Sequence, residues 1–265
     1  MAVLESPGPA TLELDDVSYR IQDLRLLAPL SLRVEAGSLV GLIGPNGSGK
    51  STLMKLMAAQ LSPTQGSLRL EGRPMKDWGR RAFARRVAYL GQDLPATEGL
   101  TARELVRFGR FPWRGLLGRR TRDDEAQVER AMALTGTQAL AGRVVETLSG
   151  GERQRVWLAM LLAQESRFLL LDEPLSALDV AHQVEVMDLI RHLSGRLNLG
   201  VVVILHDINI ASRYCDRIVA LNAGQLALDG SPEELMREDA LKAIYSVEMQ
   251  VMPHPLRDHT IAVMK

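Results

Sequence analysis

Apolar and polar residues follow two different rhythms along this chain. Residues 11–21 and 30–34 alternate with the two-residue period of half-buried strands. Residues 39–43, 168–171 and 201–205 are continuously apolar, which is typical of parallel strands buried on both faces. The pattern predicts an N-terminal antiparallel β lobe followed by an α/β core with a mostly parallel sheet.

Helical spacing replaces the strand patterns between residues 94 and 142, where one amphipathic helix is predicted over residues 122–134. A further helix is predicted over residues 180–193, with a Ser-Gly pair as its stop. We therefore predict a single domain, residues 1–265, in which a helical subdomain of roughly residues 94–165 is inserted into the α/β core.

The first helix of that subdomain begins at Thr101, because Glu104 follows it at the spacing of a capping box. Residues 111–113 are predicted to interrupt this helix. Three aromatic residues surround the interruption: Phe108, Phe111 and Trp113. Two interpretations stay open for this aromatic cluster, packing inside the subdomain or a docking surface for a partner.

Composition narrows the class of protein. With 265 residues the chain can bury a sizeable core, and its 32 basic and 32 acidic side chains give no net charge that would favour nucleic acid. A single cysteine, Cys215, suits a reducing compartment. No apolar run approaches 18 residues and the start lacks the pattern of a secretion signal. We expect a soluble, cytoplasmic protein whose membrane contacts come through a partner.

The most specific stretch follows the first apolar run and precedes helical spacing, as a phosphate-binding loop requires. It consists of Gly44, Pro45, Asn46, Gly47, Ser48, Gly49, Lys50, Ser51 and Thr52. Its glycines allow backbone N–H groups to converge on phosphate, and the following helix directs its N-terminus at the same anion. We expect Lys50 to reach the β- and γ-phosphates and Ser51 to bind Mg²⁺.

Two carboxylates, Asp172 and Glu173, end the second apolar strand, at the sheet edge where α/β proteins bind ligands. Asp172 is expected to hold Mg²⁺ and Glu173 to polarise the attacking water. His206 ends the third apolar strand, where a γ-phosphate contact is expected. Gln92 follows another short strand and is expected to reach metal or water.

A second anion-binding helix N-terminus is predicted where Ser149 caps a helix that begins at Gly150 and Gly151. One nucleotide does not need two such sites from one chain. The interpretation that resolves this is that Ser149 and the two glycines face a nucleotide held by another copy.

These motifs together resemble the ATP-binding subunit of ABC transporters over the whole chain. In order they correspond to Walker A (44–52), the Q-loop (Gln92), the signature (148–154), Walker B (169–173), the D-loop (176–179, with Asp179) and the switch histidine (His206). The resemblance implies ATP and Mg²⁺ as ligands and a head-to-tail dimer that encloses two nucleotides. From the residue alone, Tyr19 either stacks on an adenine ring or caps the core, and the resemblance favours stacking.

Residues 100–113, 178–183 and 206–209 are similar to those of iron-complex importers, in particular the ferric hydroxamate siderophore importers. This likeness implies integral membrane permease subunits, a periplasmic binding protein, no nucleic acid, and a peripheral position on the cytoplasmic face of the inner membrane. Haem and cobalamin remain alternative cargoes. A soluble ABC ATPase acting on nucleic acid or the ribosome, and a non-catalytic nucleotide-gated scaffold, are the competing interpretations.

Overall fold

The computed structural model describes residues 10–114, 118–255 and 259–265. The first nine residues, predicted to be a loose end, lie outside the described residues. The chain forms two compact units, one made of the chain up to Trp78 together with Gly200 onwards, the other of Gly79–Leu199. The second unit is wider than the helical stretch of residues 94–165, because it also holds two strands and the helix after them.

The strands in chain order are β1 (Thr11–Ile21), β2 (Leu24–Glu35), β3 (Leu39–Ile43), β4 (Gln65–Leu70), β5 (Arg73–Pro74), β6 (Val87–Leu90), β7 (Phe168–Leu171), β8 (Gly200–Ile204), β9 (Arg217–Asn222), β10 (Gln225–Gly230), β11 (Met249–Pro253) and β12 (Thr260–Met264). The α-helices are α1 (Lys50–Met57), α2 (Arg80–Ala84), α3 (Ala102–Phe108), α4 (Phe111–Arg114), α5 (Arg122–Leu134), α6 (Gly150–Ala163), α7 (Val180–Leu197), α8 (Ile208–Tyr214), α9 (Pro232–Leu235) and α10 (Glu238–Tyr245).

The first unit contains both predicted sheet types. Strand β1 pairs antiparallel with β2 and β4, which confirms the antiparallel lobe. Strand β3 pairs parallel with β8 and β9, and every residue of β3 and β8 is buried. A parallel strand covered on both faces has no polar side, which explains the continuous apolar runs. Because β3 and β8 run parallel, the segments that follow them emerge at the same sheet edge.

The second unit combines a parallel strand pair with helices. Strands β6 and β7 are parallel, with Tyr89 opposite Leu170 and Leu90 opposite Leu171. Helix α3 begins with the predicted capping box at Thr101, and α5 begins with a second capping box, at Thr121, that the sequence analysis did not identify. The two short strands leave Gln92 and Asp172 just beyond their carboxyl ends.

Helix α7 is longer than the sequence predicts. It passes through Ser194 and Gly195, the predicted stop, and ends at Leu197, where Asn198 turns with φ 52°. Glycine inside a helix costs about 1 kcal/mol relative to alanine. Burial of one leucine contributes about 1.5–3 kcal/mol, and Leu193 in this turn is 1% exposed. Packing therefore outweighs the local stop signal, and the prediction of a stop at Ser194 is wrong.

The predicted interruption at residues 111–113 is also wrong in detail. Helix α3 already ends at Phe108, the break lies at residues 109–110, and Phe111 starts the short helix α4. Pro112 is accommodated because it sits in the first turn, where its missing N–H has no helical partner.

Candidate functional site

The phosphate loop has the backbone that its glycines predict. Gly44, Gly47 and Gly49 have φ of 136°, 75° and 100°, the left-handed region that side chains disfavour. A Cβ on Gly44 would lie 2.0 Å from the backbone oxygen of Leu221, so even alanine cannot fit there. The loop therefore follows a path that requires glycine.

Several donors of this loop suit a phosphate. Lys50 is 5% exposed, and its Nζ donates to the carbonyl oxygens of Gly44 and Pro45, each at 2.8 Å. Helix α1 has no side-chain cap and no acidic residue in its first turn. The buried Ser48 hydroxyl has no hydrogen-bond partner among the residues that the structure describes. Uncapped N–H groups, a buried ammonium group and an unused hydroxyl fit a polyphosphate anion.

Tyr19 lies on β1 opposite Leu27 of β2 and is half-buried. The adjoining part of β2 meets the phosphate loop, because a Cβ on Gly49 would lie 3.0 Å from the oxygen of Leu26 and 3.3 Å from Leu27 Cδ1. The Gly224 amide completes this corner with a 3.1 Å bond to the oxygen of Ser48. Tyr19 is therefore on the strand beside the loop, as adenine stacking requires.

His206 follows β8 and is exposed. Leu205 donates to the oxygen of Leu42 at 3.2 Å, which keeps the chain alongside β3 up to the residue before the histidine. Its location at the edge where β3 enters the phosphate loop agrees with the expected γ-phosphate contact.

In the second unit, the strand-end carboxylates differ in environment. Asp172 is 3% exposed and accepts a 3.3 Å hydrogen bond from the Tyr89 hydroxyl at Oδ2. Burial, together with the negative charge of Asp172, raises the pKa of Tyr89 to about 12. Tyr89 therefore stays a proton donor and holds the carboxylate that is expected to bind Mg²⁺.

Glu173 has a left-handed backbone with φ 53°, which is rare for a residue with a side chain and costs about 1–2 kcal/mol. Gln92 Nε2 donates to Glu173 Oε2 at 2.9 Å. The turn and this bond direct the carboxylate away from the buried environment of Asp172. The sequence analysis expected Gln92 to meet metal or water and missed this bond, because nothing in the sequence signals the turn.

A cavity of about 500 Å³ opens beside these residues. Its walls include Gln92, Asp172, Glu173, Gly150, Arg153 and Trp157. It therefore brings the strand-end carboxylates, the glutamine and the start of α6 to one opening within the second unit.

Ser149 caps α6, as predicted. Its hydroxyl accepts from the Glu152 amide at 3.3 Å, while the Glu152 carboxylate accepts from the Ser149 amide at 2.9 Å. The Ser149 side chain also donates to the Glu152 carboxylate, so the two residues cap the helix reciprocally. Hydrogen bonding from the Ser149 amide lowers the pKa of Glu152, and Arg143 offsets its charge with an ion pair at 3.2 Å.

Gly151 packs directly against His182, a residue that the sequence analysis did not place in the site. A Cβ on Gly151 would lie 2.3 Å from His182 Cδ2. The imidazole is fixed by Asp179, whose Oδ1 lies 2.7 Å from His182 Nδ1 and accepts from the His182 amide at 2.9 Å. The His182 amide also lowers the pKa of Asp179, so this carboxylate caps α7 in its charged form. The starts of α6 and α7 therefore meet through one imidazole ring.

Gly151→Ala is expected to lower ATP turnover about tenfold, equivalent to about 1.4 kcal/mol, because the new methyl group displaces the His182 ring. Adding His182→Ala should return most of the lost activity, since it removes the colliding ring. Steady-state phosphate release by the two single variants and the double variant measures this. Gly195→Ala is the matched control, because a Cβ there meets nothing within 4 Å. A double variant no faster than Gly151→Ala would disprove the steric coupling.

The C-terminal part of the first unit places Tyr245 near the phosphate loop, which the sequence analysis did not predict. Burial raises the pKa of Tyr245, the last residue of α10, to about 12. The adjacent backbone of Gly44 lowers this pKa, and the negative charge of Asp207 raises it. Asn209 pins β12 through two hydrogen bonds with Ala262, at 3.1 and 2.8 Å. The only sequence signal here is that Asp207 and Asn209 closely follow His206.

Each unit thus carries some of the predicted site residues. Tyr19, the phosphate loop and His206 belong to the first unit, whereas Gln92, Ser149, Gly150, Gly151, Asp172, Glu173 and Asp179 belong to the second. A phosphate loop on a parallel sheet, together with a buried strand that ends in two carboxylates, defines a P-loop nucleoside triphosphatase.

The chain belongs to the ABC transporter family, whose model matches residues 27–176. It is 42% identical over 226 residues to the achromobactin transport ATP-binding protein of Dickeya dadantii, covering 85% of this chain and 84% of that protein. It is 40% identical over 250 residues to the hemin import ATP-binding protein of Streptomyces coelicolor, covering 94% and 88%. The dimeric structure of a bacterial ABC transporter cassette matches with a TM-score of 0.72 and 26% identity, over 83% of this chain and 98% of that one. The chain is therefore an ATP-hydrolysing ABC ATPase.

Among the helices that the structure describes, none combines the length and the apolar character needed to cross a bilayer.

Proposed function

We propose that this ABC ATPase drives the import of a ferric siderophore. The similarity to the achromobactin transport protein is the observation that carries the proposal, since the match spans most of both chains. Proteins named for petrobactin import in Bacillus anthracis and ferric enterobactin transport in Escherichia coli are similar over comparable lengths. The sequence resemblance predicts one class of siderophore as the cargo, the ferric hydroxamates.

Within this function, the phosphate loop from Gly44 to Thr52 binds the triphosphate of ATP, and Lys50 turns from its carbonyl partners to the β- and γ-phosphates. The Ser51 hydroxyl, Asp172 and Gln92 are the residues that would hold Mg²⁺. Bound there, the ion would neutralise charge on the β- and γ-phosphates. The buried carboxylate of Asp172, held by a hydroxyl donor, suits this hard cation.

Glu173 is the proposed general base. Its half-buried carboxylate lines the cavity, where it would accept a proton from the attacking water, and Gln92 holds it in place through the 2.9 Å bond. His206 would contact the γ-phosphate as it is transferred. Tyr19 would stack on the adenine ring, because it lies opposite Leu27 of β2, the strand that contacts the phosphate loop.

A second copy of the chain is the proposed partner for hydrolysis. Ser149, Gly150 and Gly151 would contact the γ-phosphate bound by the opposite copy, with Asp179 beside them. The position of Ser149 at the helix N-terminus and the amides at the start of α6 support this role. The similar cassette that was solved as a dimer supports it independently.

Permease subunits are the proposed membrane partners, and the cavity of about 500 Å³ beside Gln92 is the proposed seat of a cytoplasmic permease helix. Gln92 and Glu173 line this cavity, so a helix bound there would act directly on the glutamine that holds the base. The subunit would then lie on the cytoplasmic face of the inner membrane. A periplasmic binding protein would deliver the cargo, and nucleic acid would have no role.

A strain that lacks the gene tests the cargo. It should fail to grow with one class of ferric siderophore as its iron source and should grow normally with haem. The intact gene should restore growth, whereas a Lys50→Ala variant expressed at the same level should not.

Haem is the second candidate cargo, because the hemin import protein of Streptomyces coelicolor is also similar at 40% identity. If the strain failed to grow on haem but still used all siderophores, the cargo would be haem and not a siderophore. Normal growth on every iron source would contradict both.

A further inference from the structure

One face of the second unit joins exposed aromatic rings to arginines. Phe108, Phe111 and Trp113 have 53%, 46% and 37% of their surface exposed. Phe108 and Phe111 therefore present much of their surface to solvent, whereas Trp113 is also packed within the subdomain. Together with four exposed arginines, these aromatic residues form a surface that we call the aromatic–arginine face. The four are Arg80, Arg81, Arg119 and Arg122.

The aromatic part of this face is held rigidly. Trp113 Nε1 donates to the oxygen of Gln164 at 2.8 Å, and the guanidinium groups of Arg85 and Arg110 lie 4.6 and 5.1 Å from its ring centroid. Arg110 is itself fixed by a buried ion pair with Asp124 at 3.0 Å. The one polar group of the indole is therefore satisfied inside, and its exposed edge stays in place.

The arginines border the aromatic rings on two sides. Helix α2 carries Arg80 and Arg81 and leads to Arg85, whose Nε donates to the oxygen of Pro112 at 3.1 Å. On the other side, a Cβ on Gly118 would lie 2.2 Å from the oxygen of Arg114, so Arg119 follows close to the end of α4.

Charge is distributed unevenly along the sequence here. Residues 79–122 contain eleven arginines, no lysine and three acidic residues, a net charge of plus eight. Three acidic residues follow directly and pair with two of these arginines: Asp123 and Asp124 with Arg110, and Glu125 with Arg107. The whole chain has no net charge, so the remaining residues carry minus eight. Three of the four phenylalanines also lie in this segment.

Some arginines on other surfaces have carboxylate partners, for example Arg155 with Glu185 at 3.1 Å and Arg217 with Asp229 at 2.5 Å, whereas in the part of the chain that the structure describes the exposed Arg25, Arg130 and Arg196 do not. Within the described residues, Arg80, Arg81, Arg119 and Arg122 have none. Unpaired arginines beside exposed aromatic rings point to a partner that is anionic and has an apolar layer.

The face lies away from the nucleotide side of its own unit. At the start of β6, the Arg86 oxygen accepts from the amides of Arg167 and Phe168, both at 2.9 Å, and the Gln164 side chain donates to the oxygen of Val87 at 3.1 Å. Gln92 lies beyond the opposite end of that strand. The face is therefore separate from the cavity beside Gln92 that we assign to a permease helix.

We propose that the aromatic–arginine face binds the surface of an anionic phospholipid bilayer. Guanidinium groups pair with lipid phosphates, and aromatic rings are enriched at the depth of the headgroups. The inference rests on the proposed function in one respect, because that function places the subunit beside a membrane. It adds a direct lipid contact to the attachment through the permease.

Sedimentation of the full-length, untagged chain with vesicles tests this without nucleotide. The probes are vesicles of phosphatidylcholine alone and vesicles with about one third phosphatidylglycerol. Binding should occur only to the anionic vesicles and should shift the Trp113 fluorescence to shorter wavelength. Replacing Arg80, Arg81, Arg119 and Arg122 by Gln should weaken binding about 100-fold or more, since each arginine near an anionic surface contributes about fivefold. Phe108→Ser with Phe111→Ser should weaken binding with the charge unchanged.

The matched control replaces four exposed basic residues elsewhere by Gln: Arg25, Lys76, Arg130 and Arg196. It removes the same charge and should keep vesicle binding. No binding to anionic vesicles, equal binding to both kinds, or equal losses in the two fourfold variants would overturn the proposal. Tighter binding to single-stranded RNA than to anionic vesicles would assign the face to nucleic acid and would also overturn it. ATP turnover measured in parallel reports on the proposed function separately, since neither fourfold variant touches the nucleotide residues.

Discussion

Glu173→Gln is expected to leave ATP binding intact and to slow hydrolysis about 100-fold or more, a barrier increase of about 2.7 kcal/mol. The glutamine keeps an oxygen that can accept the 2.9 Å hydrogen bond from Gln92, so the geometry of the turn is retained. What it loses is the ability to take a proton from the attacking water. Nucleotide affinity and steady-state phosphate release measure the two effects separately.

The same variant should accumulate as an ATP-bound dimer, because ATP closes the two copies and its hydrolysis releases them. Size-exclusion chromatography with ATP should show the dimer, and the wild type should remain monomeric under the same conditions. Glu129→Gln, an exposed glutamate on α5 that pairs with Arg103, is the matched control and should behave as the wild type. Near-normal turnover of Glu173→Gln would remove Glu173 from the role of base.

Ser149→Arg is expected to abolish turnover while an isolated subunit still binds ATP with unchanged affinity. The arginine side chain occupies the space in front of α6 where the opposite copy would place its γ-phosphate. Turnover should fall about 100-fold or more, comparable to the loss of an oxyanion donor. Phosphate release and nucleotide titration of the same preparation give both quantities.

Loss of the cap by itself costs about 1 kcal/mol of stability, so a control for that loss is needed. Ser231 provides it, because it caps α9 with the same capping-box arrangement. Ser231→Arg should lose a similar amount of stability and keep its turnover. Equal turnover of Ser149→Arg and the wild type would end the argument that the site is shared.

Elements dominated by burial could be predicted from the sequence with accurate bounds. Strands β3, β6 and β7 are short apolar runs that no other structure accommodates as well, and α5 has a capping box at Thr121 that fixes its start. The antiparallel lobe also follows from alternation, although β2 starts at Leu24, earlier than the predicted residue 30.

The errors occur where tertiary packing competes with local signals. Helix α7 continues through Gly195 because burial of its apolar residues, such as Leu193, contributes more than the glycine costs. The helical subdomain of roughly residues 94–165 stays a prediction; the second unit that contains this stretch also holds the pairing of β6 with β7.

Motif spacing placed the candidate residues at strand ends and helix starts, but the bonds among them could not be predicted. The hydrogen bond of Tyr89 to Asp172 depends on the neighbouring strand, and that of Gln92 to Glu173 depends on a left-handed turn. The contact of His182 with Gly151 requires two helix starts to meet, which no single motif encodes.

The central claim is that each ATP is held by the phosphate loop of one copy and the Ser149 segment of the other. Mixing two inactive variants, Lys50→Ala and Ser149→Arg, tests it most directly. A mixed dimer then contains one site with both defects and one site that is fully intact. Random pairing should restore about a quarter of the wild-type rate, since half of the dimers are mixed and each has one working site of two. If every site were built from a single chain, the mixture would stay as inactive as its two components, and that result would contradict the account.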